Sequence, residues 1–379
     1  MHIIVVGAGI LGASTAFHLA RAGAQVTIVD ASHDGRATAA GAGIICPWVS
    51  GADDPDFYRL YVQGAHYYSE LVPALAEYGE TELGYRRVGA LVVSSDTDEL
   101  TAFNQLLQRR RMDTPEMGES TVLDPRDVRM LFPPLREDLA GLHVANGARV
   151  DGRLMAAGLL HAAQLLGARV VGARAELVVE SDRLRGVSAG NDLIEGDSVI
   201  LAAGAWAAAL LQPLGIALPI EPQRGQIVHL RLPGEDTQHW PVILPPGSHY
   251  LLAFDDSRVV AGATREFGAG FDYRVTASGQ AEVLREALHV APGLGSASII
   301  ETRVGFRPVG QRIRPLLGAV PGVERLLIGN GLGAAGLTIG PFAGRVLAEA
   351  ALRREPPIDL APFAPMQSTA ARARNFPLR

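Results

Sequence analysis

The first residues able to do chemistry are three glycines near the N-terminus, Gly7, Gly9 and Gly12, in the sequence GAGILG. An apolar run precedes them, and a second apolar run ends at Asp30, 18 residues after Gly12. In this pattern the first glycine makes a tight turn, the second lets the backbone approach a pyrophosphate, and the third lets a helix pack on a strand. A carboxylate at Asp30 can hold a ribose diol. The spacing predicts a dinucleotide site and leaves NAD and FAD both open, since they share the adenosine diphosphate half.

A second glycine cluster, IGNGLGAAGLTIGPFAG, lies at Ile328–Gly344, close to the C-terminus. Its layout is a strand, a glycine loop and a helix that begins near Thr338–Pro341. In two-domain FAD proteins a helix N-terminus faces the flavin edge that becomes anionic on reduction, and its partial positive charge stabilises that form. This cluster favours FAD, because an NAD protein would leave the loop without a ligand.

Composition and charge exclude several classes of protein. A formal net charge of -6 and a pI near 5.9 give no electrostatic footprint for nucleic acid. Cys46 is the only cysteine, which excludes an internal disulfide and a multi-cysteine metal site, and we predict no metal. The apolar run Val199–Leu214 is interrupted by Gly204 and Pro213, so we expect no membrane span. No basic segment precedes the first strand, and the sequence predicts a soluble, cytoplasmic enzyme.

Two patterns of predicted secondary structure alternate along the chain. In one, strands and helices follow each other in turn, and in the other the strands have the alternation typical of antiparallel sheets. We predict an α/β (α+β two-domain) fold, in which a Rossmann-like FAD-binding domain accompanies an antiparallel-sheet substrate domain, both discontinuous. The FAD-binding domain is expected to comprise residues 1–84, 138–222 and 300–379. The substrate-binding domain is expected to comprise residues 85–137 and 223–299. The strands predicted to carry the cofactor are His2–Val6, Gln25–Asp30, Ser198–Ala203 and Leu326–Ile328.

Further motifs extend the pattern along the chain. They are GRATAAGAG after the second strand, SVILAAGAW, QRGQIV, GATRE, GFRPVGQRIRPLLG and the GLGAAGLTIGP segment. With the N-terminal fingerprint, they make nearly the whole chain resemble the FAD-dependent D-amino-acid oxidase family, especially its glycine oxidase and D-amino-acid dehydrogenase branch. The resemblance implies oxidation of the C–N bond of a D-amino acid, glycine, or an N-alkyl or cyclic amino acid. Hydride would pass to flavin N5, and the imine would hydrolyse.

The same resemblance implies partners. The substrate would be a small amino acid or amine, and the electron acceptor would be oxygen, a quinone or another carrier, which the sequence does not distinguish. A homo-oligomer stays open. Two alternatives also stay open at this point: an NAD(P)-dependent dehydrogenase that uses only the N-terminal turn, and a non-catalytic flavin-binding subunit of a larger dehydrogenase.

The resemblance assigns cofactor contacts by position. The pyrophosphate, ribose, adenine, ribityl and flavin contacts are expected at Gly7, Gly9, Ile10, Leu11, Gly12, Asp30, Ala31, Ala37, Thr38, Ala42, Gly43, Ile44, Glu176, Ala203, Gly204, Leu332, Gly333, Ala334, Ala335, Gly336, Leu337 and Thr338. Relatives with covalent flavin use a Cys near GFRP or a His before the TAAGAG loop, and this chain has neither there. We therefore predict noncovalent FAD and interpret Cys46 as a small buried hydrophobe.

Two polar residues are expected to meet the substrate carboxylate, Arg307 in GFRP and Tyr250 in SHYLLAF. A planar guanidinium grips a carboxylate with two hydrogen bonds, and the tyrosine hydroxyl adds a third. The neighbouring His249 should face away, because adjacent strand residues point to opposite sides. Arg224 and Gln226 share one strand face and are weaker candidates for the pocket edge. Substrate identity is left open by two departures from the family pattern, Asn330 in place of His and Ala334 in place of Arg.

Overall fold

The computed structural model describes residues 1–181 and 183–365. The last part of the predicted FAD-binding domain, residues 366–379, lies outside the described residues. The strands, in chain order, are β1 (His2–Val6), β2 (Gln25–Asp30), β3 (Ile44–Ile45), β4 (Arg86–Arg87), β5 (Ala90–Ser94), β6 (Ser120–Leu123), β7 (Ala140–Val144), β8 (Ala148–Arg149), β9 (Arg169–Gly172), β10 (Ala175–Glu180), β11 (Arg183–Ala189), β12 (Asp192–Glu195), β13 (Ser198–Leu201), β14 (Ile220–Arg231), β15 (Val242–Leu244), β16 (Tyr250–Phe254), β17 (Arg258–Gly262), β18 (Ser298–Gly310), β19 (Leu316–Ala319) and β20 (Leu326–Asn330).

Helices connect these strands. The α-helices are α1 (Ile10–Arg21), α2 (Ala37–Ala40), α3 (Pro55–Ala76), α4 (Thr97–Asp113), α5 (Pro125–Leu131), α6 (Gly152–Leu165), α7 (Ala207–Leu211), α8 (Ala277–Val290) and α9 (Gly336–Ala351). Short 3-10 helices lie at Pro47–Val49, Pro115–Met117, Gly204–Trp206, Gln212–Leu214, Pro292–Ser296, Gly333–Ala335 and Ala361–Phe363. Over the described ranges, no helix is both long and apolar enough to cross a membrane.

The first of two large sheets has six strands in the order β19-β20-β13-β1-β2-β9. Its central pairs are parallel, and only β19 runs antiparallel to its neighbour β20. Strands buried on both faces read as continuous apolar runs, and β1 and β13 are buried almost throughout. Helices α1 and α9 pack together beside this sheet, where Ser14 donates a hydrogen bond to the carbonyl of Pro341 (2.6 Å). This sheet confirms the Rossmann-like part of the predicted fold.

The second large sheet has eight strands in the order β18-β14-β17-β16-β15-β5-β7-β6. Its pairs are antiparallel except β15 with β5. This sheet confirms the antiparallel half of the predicted fold class. Strands β7 and β18 pair within it, although the predicted boundaries give residues 140–144 and most of 298–310 to the FAD-binding domain. The division into domains stays a prediction, and these pairings favour moving both strands to the substrate-binding side.

Two helices differ from the sequence-based expectation. Helix α3 was not predicted, although Asp54 caps it by accepting from the Phe57 N–H (2.9 Å) and Pro55 occupies its first position. Helix α9 begins at Gly336, earlier than expected, and contains Pro341. Because proline has no N–H, the Leu337 carbonyl four residues earlier lacks its helical partner, and the buried Tyr68 hydroxyl donates to it instead (2.5 Å).

Candidate active site

The N-terminal turn leaves no room for side chains. Gly7 has φ +104°, and a Cβ there would lie 2.5 Å from the Ala202 carbonyl oxygen. A Cβ on Gly12 would lie 1.9 Å from the Gly7 oxygen, so α1 can approach the turn only with glycine at this position. The Thr38 hydroxyl accepts from the Ile10 N–H (2.9 Å) at the start of α1. This turn is a cradle in which backbone can approach a phosphate, with helix N–H groups directed at it.

Asp30 ends β2 beside this turn. One carboxylate oxygen accepts from the Ala8 N–H (2.6 Å) and the other from the Ser32 N–H (2.7 Å). The Arg36 guanidinium lies 3.5 Å from the second oxygen. These bonds fix the carboxylate on the wall of the cavity described next, where its remaining lone pairs can accept from ribose hydroxyls.

One cavity of about 980 Å³ extends between the two glycine-rich turns, at the upper end of the size range of small-molecule sites. Most of the predicted cofactor residues line it: Gly7, Gly9, Ile10, Leu11, Asp30, Ala31, Ala37, Thr38, Ala42, Gly43, Ile44, Ala203, Gly204, Leu332, Gly333, Ala334, Ala335, Gly336 and Leu337. The structure thus brings together segments separated by some three hundred residues of sequence.

Three predicted cofactor residues lie outside the cavity lining given by the described chain. Gly12 lies under the turn, where it allows helix packing. Thr338 lies in α9 and donates from its hydroxyl to the Ile44 carbonyl (3.0 Å), which joins α9 to β3. Glu176, where the resemblance implies a backbone contact to adenine, has an exposed side chain on β10, whereas Ala175, one residue earlier, is buried on the cavity side; the backbone contact stays a prediction. Arg174 and Ala175 line the cavity in its place.

The C-terminal glycine turn faces the cavity with backbone. A 3-10 turn at Gly333–Ala335 leads directly into α9, whose first-turn N–H groups lack helical partners and carry a partial positive charge. The buried Asn330 donates to the Gly204 carbonyl (2.8 Å) and accepts from the Gly331 N–H (2.7 Å). Asn330 therefore joins the end of β20 to the turn after β13, a role that needs an amide rather than a charge.

Arg307 and Tyr250 both reach the cavity from the second sheet. Arg307, on β18, donates through Nη1 to the Thr264 carbonyl (3.1 Å) and to Oε1 of Gln223 (3.2 Å). Burial raises the pKa of Tyr250, while the charge of Arg307 opposes that rise. Burial lowers the pKa of Arg307. Because the ordinary pKa of an arginine lies far above neutral pH, the guanidinium still stays charged. The pair presents one cation and one hydroxyl to a carboxylate.

Four further arginines of the described chain, Arg36, Arg174, Arg265 and Arg312, line the same cavity, and Arg265 was not singled out from the sequence. Its charge opposes the rise that burial causes in the pKa of Tyr250 and adds to the lowering of the pKa of Arg307. It is exposed and makes no hydrogen bond or ion pair with any other described side chain. The signal that could have found it is the GATRE motif, in which it is the only cation.

Other residues near the site differ from expectation. His249 lines the cavity, with Nε2 lying 3.4 Å from the Glu282 carboxylate. Arg224 and Gln226 turn away from the cavity and bind Glu266 (2.5 and 2.7 Å). Cys46 lines the cavity but is buried, and burial raises the pKa of its thiol to about 12. The thiol is therefore neutral at physiological pH, as expected for a small buried hydrophobe, and noncovalent FAD stays a prediction.

Comparison with known proteins places this cavity in a family context. Residues 2–350 match the family model "DAO: FAD dependent oxidoreductase". The crystal structure of iminodiacetate oxidase from Chelativorans sp. BNC1 is similar, with a TM-score of 0.94, 53% identity, and coverage of 96% of this chain and 98% of that chain. Oxidoreductase YurR of Bacillus subtilis is 47% identical over 363 residues, 96% of this chain and 98% of that protein. Glycine oxidase of Pseudomonas aeruginosa is 31% identical over 372 residues, again 96% and 98% of the two chains.

Proposed function

The chain belongs to the DAO family of FAD-dependent oxidoreductases, and we propose that it oxidises a secondary amine bearing two carboxylates, of the iminodiacetate class. Membership makes the protein an FAD-using enzyme related to glycine oxidase and iminodiacetate oxidase, which acts on C–N bonds of amino acids. It also removes the NAD(P)-dependent and non-catalytic alternatives. Five arginines of the described residues line the cavity, and the observation that carries the finer proposal is that two of them, Arg307 and Arg265, act on the pKa of Tyr250.

The lining of the cavity suits FAD. Gly7 and Gly9 leave space for the pyrophosphate, Asp30 would hold the adenosine ribose, and the first turn of α9 would meet the pyrimidine edge of the flavin. When bound, FAD supplies the acceptor for the hydride that leaves the α-carbon.

The residues of the chain then supply orientation and electrostatics. Arg307 and Tyr250 would hold one carboxylate and so fix the α-carbon next to it. Arg265 would hold the second carboxylate. The nearby positive charges and the apolar side chains of Phe57, Val92 and Phe103 lower the pKa of a bound amine, so its proton is lost to solvent before oxidation. No strong catalytic base is required.

The products follow from the chemistry of the substrate. Loss of hydride from one methylene of iminodiacetate, with loss of the amine proton, turns the C–N bond into C=N. Water then adds to the imine carbon and the C–N bond breaks, which gives glyoxylate and glycine. A monocarboxylate such as sarcosine would leave Arg265 without a ligand and should bind more weakly.

The proposal is tested by anaerobic reduction of the flavin in the purified holoenzyme. We expect iminodiacetate to bleach the flavin at low concentration, and glycine, sarcosine, D-alanine and D-proline to need far more or to fail.

Arg265→Met should raise the KM for iminodiacetate by about ten- to a hundredfold, since a charged hydrogen-bonded pair contributes about 1.5–3 kcal/mol. The KM for sarcosine should change little. Arg126→Met removes one exposed charge outside the cavity and controls for net charge. Bleaching by a monocarboxylate as readily as by iminodiacetate would contradict the proposal.

A further inference from the structure

The end of helix α4 carries three consecutive arginines, and only the middle one packs inward. Arg109 and Arg111 are exposed, whereas Arg110 is partly buried. Leu107, three residues before Arg110, is buried in the core, and Phe103, seven residues before it, lines the cavity. These spacings put Phe103, Leu107 and Arg110 on one face of the helix, so Arg110 lies on the cavity side of α4.

Residues 46–52, here called the wall segment, form part of the cavity wall. Three of them line the cavity: Cys46, Val49 and Ser50. The segment has little regular structure of its own, only a 3-10 turn at Pro47–Val49, and Gly51 lies in open space. Cys46 belongs to the apolar core cluster against which Val49 and Tyr250 also pack. The wall segment therefore shares its support with Tyr250, on the side of the second sheet.

The guanidinium of Arg110 holds the wall segment in place. Its Nη1 donates to the carbonyls of Trp48 (2.5 Å) and Ser50 (2.6 Å), and its Nη2 donates to the carbonyl of Ala52 (3.1 Å). The ring of Tyr58, on α3, lies against the same guanidinium, with the ring centroid 4.3 Å from Cζ. A planar fork of donors can meet several carbonyls and an aromatic face at once, which an ammonium group on a flexible stem does not match.

This guanidinium has no acid as a partner among the described residues. Burial lowers the pKa of Arg110, Tyr58 opposes this effect, and the charge of Arg109 adds to it. Removing water from a cation costs free energy, and here hydrogen bonds to backbone carbonyls and the Tyr58 ring offset that cost. Because all three carbonyls belong to one short segment, the guanidinium and the wall segment hold each other in a single arrangement.

We propose that Arg110 is a positioning residue that keeps the wall segment as a fixed side of the substrate site. The inference rests on the proposed function, because it takes the amine to lie in the part of the cavity that the wall segment bounds. Within the described residues Arg110 is not among those that line the cavity, so it acts through Val49 and Ser50. A movable wall would let the substrate take several orientations, whereas loss of hydride from the α-carbon needs one of them.

The position of the wall segment can be measured directly, because the only cysteine of the chain, Cys46, begins it. In the wild type this thiol is 3% exposed and should react slowly with the thiol reagent DTNB. Arg110→Met keeps most of the side-chain length without its donors. In the folded holoenzyme it should raise the rate of the DTNB reaction by about tenfold or more, the effect of losing a hydrogen bond to a charged group. Arg109→Met removes the neighbouring exposed charge and should react as wild type.

The same variants are then reduced anaerobically with iminodiacetate. The limiting rate of flavin reduction should fall by about tenfold or more in Arg110→Met, and it should stay within about twofold of wild type in Arg109→Met. Arg110→Lys keeps the charge but not the planar fork, so it should resemble Arg110→Met in both measurements. Flavin content measured on each variant shows that the compared proteins are folded holoenzymes.

The outcomes separate the two proposals. If iminodiacetate does not reduce the wild-type flavin, the proposed function fails, and the reactivity of Cys46 still decides whether Arg110 holds the wall segment. Unchanged reactivity of Cys46 in Arg110→Met would overturn the positioning role, and so would raised reactivity with an unchanged limiting rate. A limiting rate restored in Arg110→Lys while Cys46 stays reactive would also overturn it, because the charge alone would then explain the effect.

Discussion

The Arg307 guanidinium reaches the cavity through space that a neighbouring glycine leaves free. Gly225 lies on β14, beside the residue that pairs with Phe306, and a Cβ there would lie 2.5 Å from Nη1 of Arg307. The atom approached is the far end of a flexible side chain. Added bulk would therefore move the guanidinium rather than the strand.

Gly225→Ala is expected to weaken carboxylate binding without loss of the fold. Displacing the guanidinium should raise the KM for any carboxylate substrate by about tenfold or more, the effect of one lost charge-assisted hydrogen bond. Steady-state kinetics and the flavin-to-protein ratio check this, and the ratio should match wild type. Gly172→Ala, on strand β9 with open space around the glycine, is the matched control. An unchanged KM in Gly225→Ala would show that Arg307 does not depend on this space.

Counting along strands predicted part of the site. The alternation rule correctly puts Arg224 and Gln226 on one face of β14, but that face binds Glu266, and Gln223 and Gly225 line the cavity. The rule failed for His249 because this residue precedes β16 and lies in a loop, where alternation does not apply. The choice of face depends on partners far away in sequence, which no local pattern contains.

Helix α1 depends on glycine for its position against the sheet. A Cβ on Gly12 would overlap the Gly7 carbonyl oxygen at 1.9 Å. This oxygen belongs to the backbone, so it cannot rotate away as a side-chain atom could. A Cβ on Gly9 would meet only the Thr38 hydroxyl, at 3.2 Å. The two glycines of one motif therefore differ in what they protect: Gly12 protects helix packing, and Gly9 protects access for a ligand.

Gly12→Ala should accordingly destabilise the protein more than Gly9→Ala does. Overpacking against backbone lowers the free energy of unfolding by about 3 kcal/mol, whereas the contact at Gly9 can relax through the threonine rotamer at a loss below about 1 kcal/mol. Urea unfolding of both variants after removal of FAD checks this order, because weaker cofactor binding by Gly9→Ala then adds nothing to its loss of stability. Equal destabilisation would mean that α1 shifts freely on the sheet.

Elements with strong local signals were predictable, and elements that depend on other elements were not. The strands His2–Val6 and Gln25–Asp30 match their predicted bounds. The early start of α9 is different, because the carbonyl that Pro341 leaves unpaired is satisfied by Tyr68 from α3. The Tyr68 contact is a tertiary contact that the local sequence does not show. The sequence near Pro341 therefore indicated the start of a helix, whereas the helix begins at Gly336 and continues through Pro341.

At the scale of the whole molecule, a chain with a net charge of -6 concentrates cations on one cavity. It also buries histidines, among them His229 on β14, which is 1% exposed. Burial, together with the charges of Arg303, Arg258 and Arg153, lowers the pKa of His229 to about 3, although Glu301 opposes this. Its Nε2 has no hydrogen-bond partner in the described part of the chain. The folded protein therefore holds this ring neutral.

Acid should destabilise the protein through His229. Between its ordinary pKa of about 6.5 and its folded pKa of about 3, the unfolded chain binds a proton that the folded chain refuses, so the free energy of unfolding falls as pH falls. The largest slope is about 1.4 kcal/mol per pH unit, or about 2 kcal/mol between about pH 7.5 and pH 5.

His229→Gln should remove that part of the pH dependence in urea unfolding, whatever its effect at neutral pH. His18, whose pKa burial lowers to about 3, remains in both proteins, so the comparison isolates His229. His66→Gln alters an exposed histidine on α3 and should keep the wild-type slope, and a slope unchanged in His229→Gln would show that protonation of this ring is tolerated in the fold.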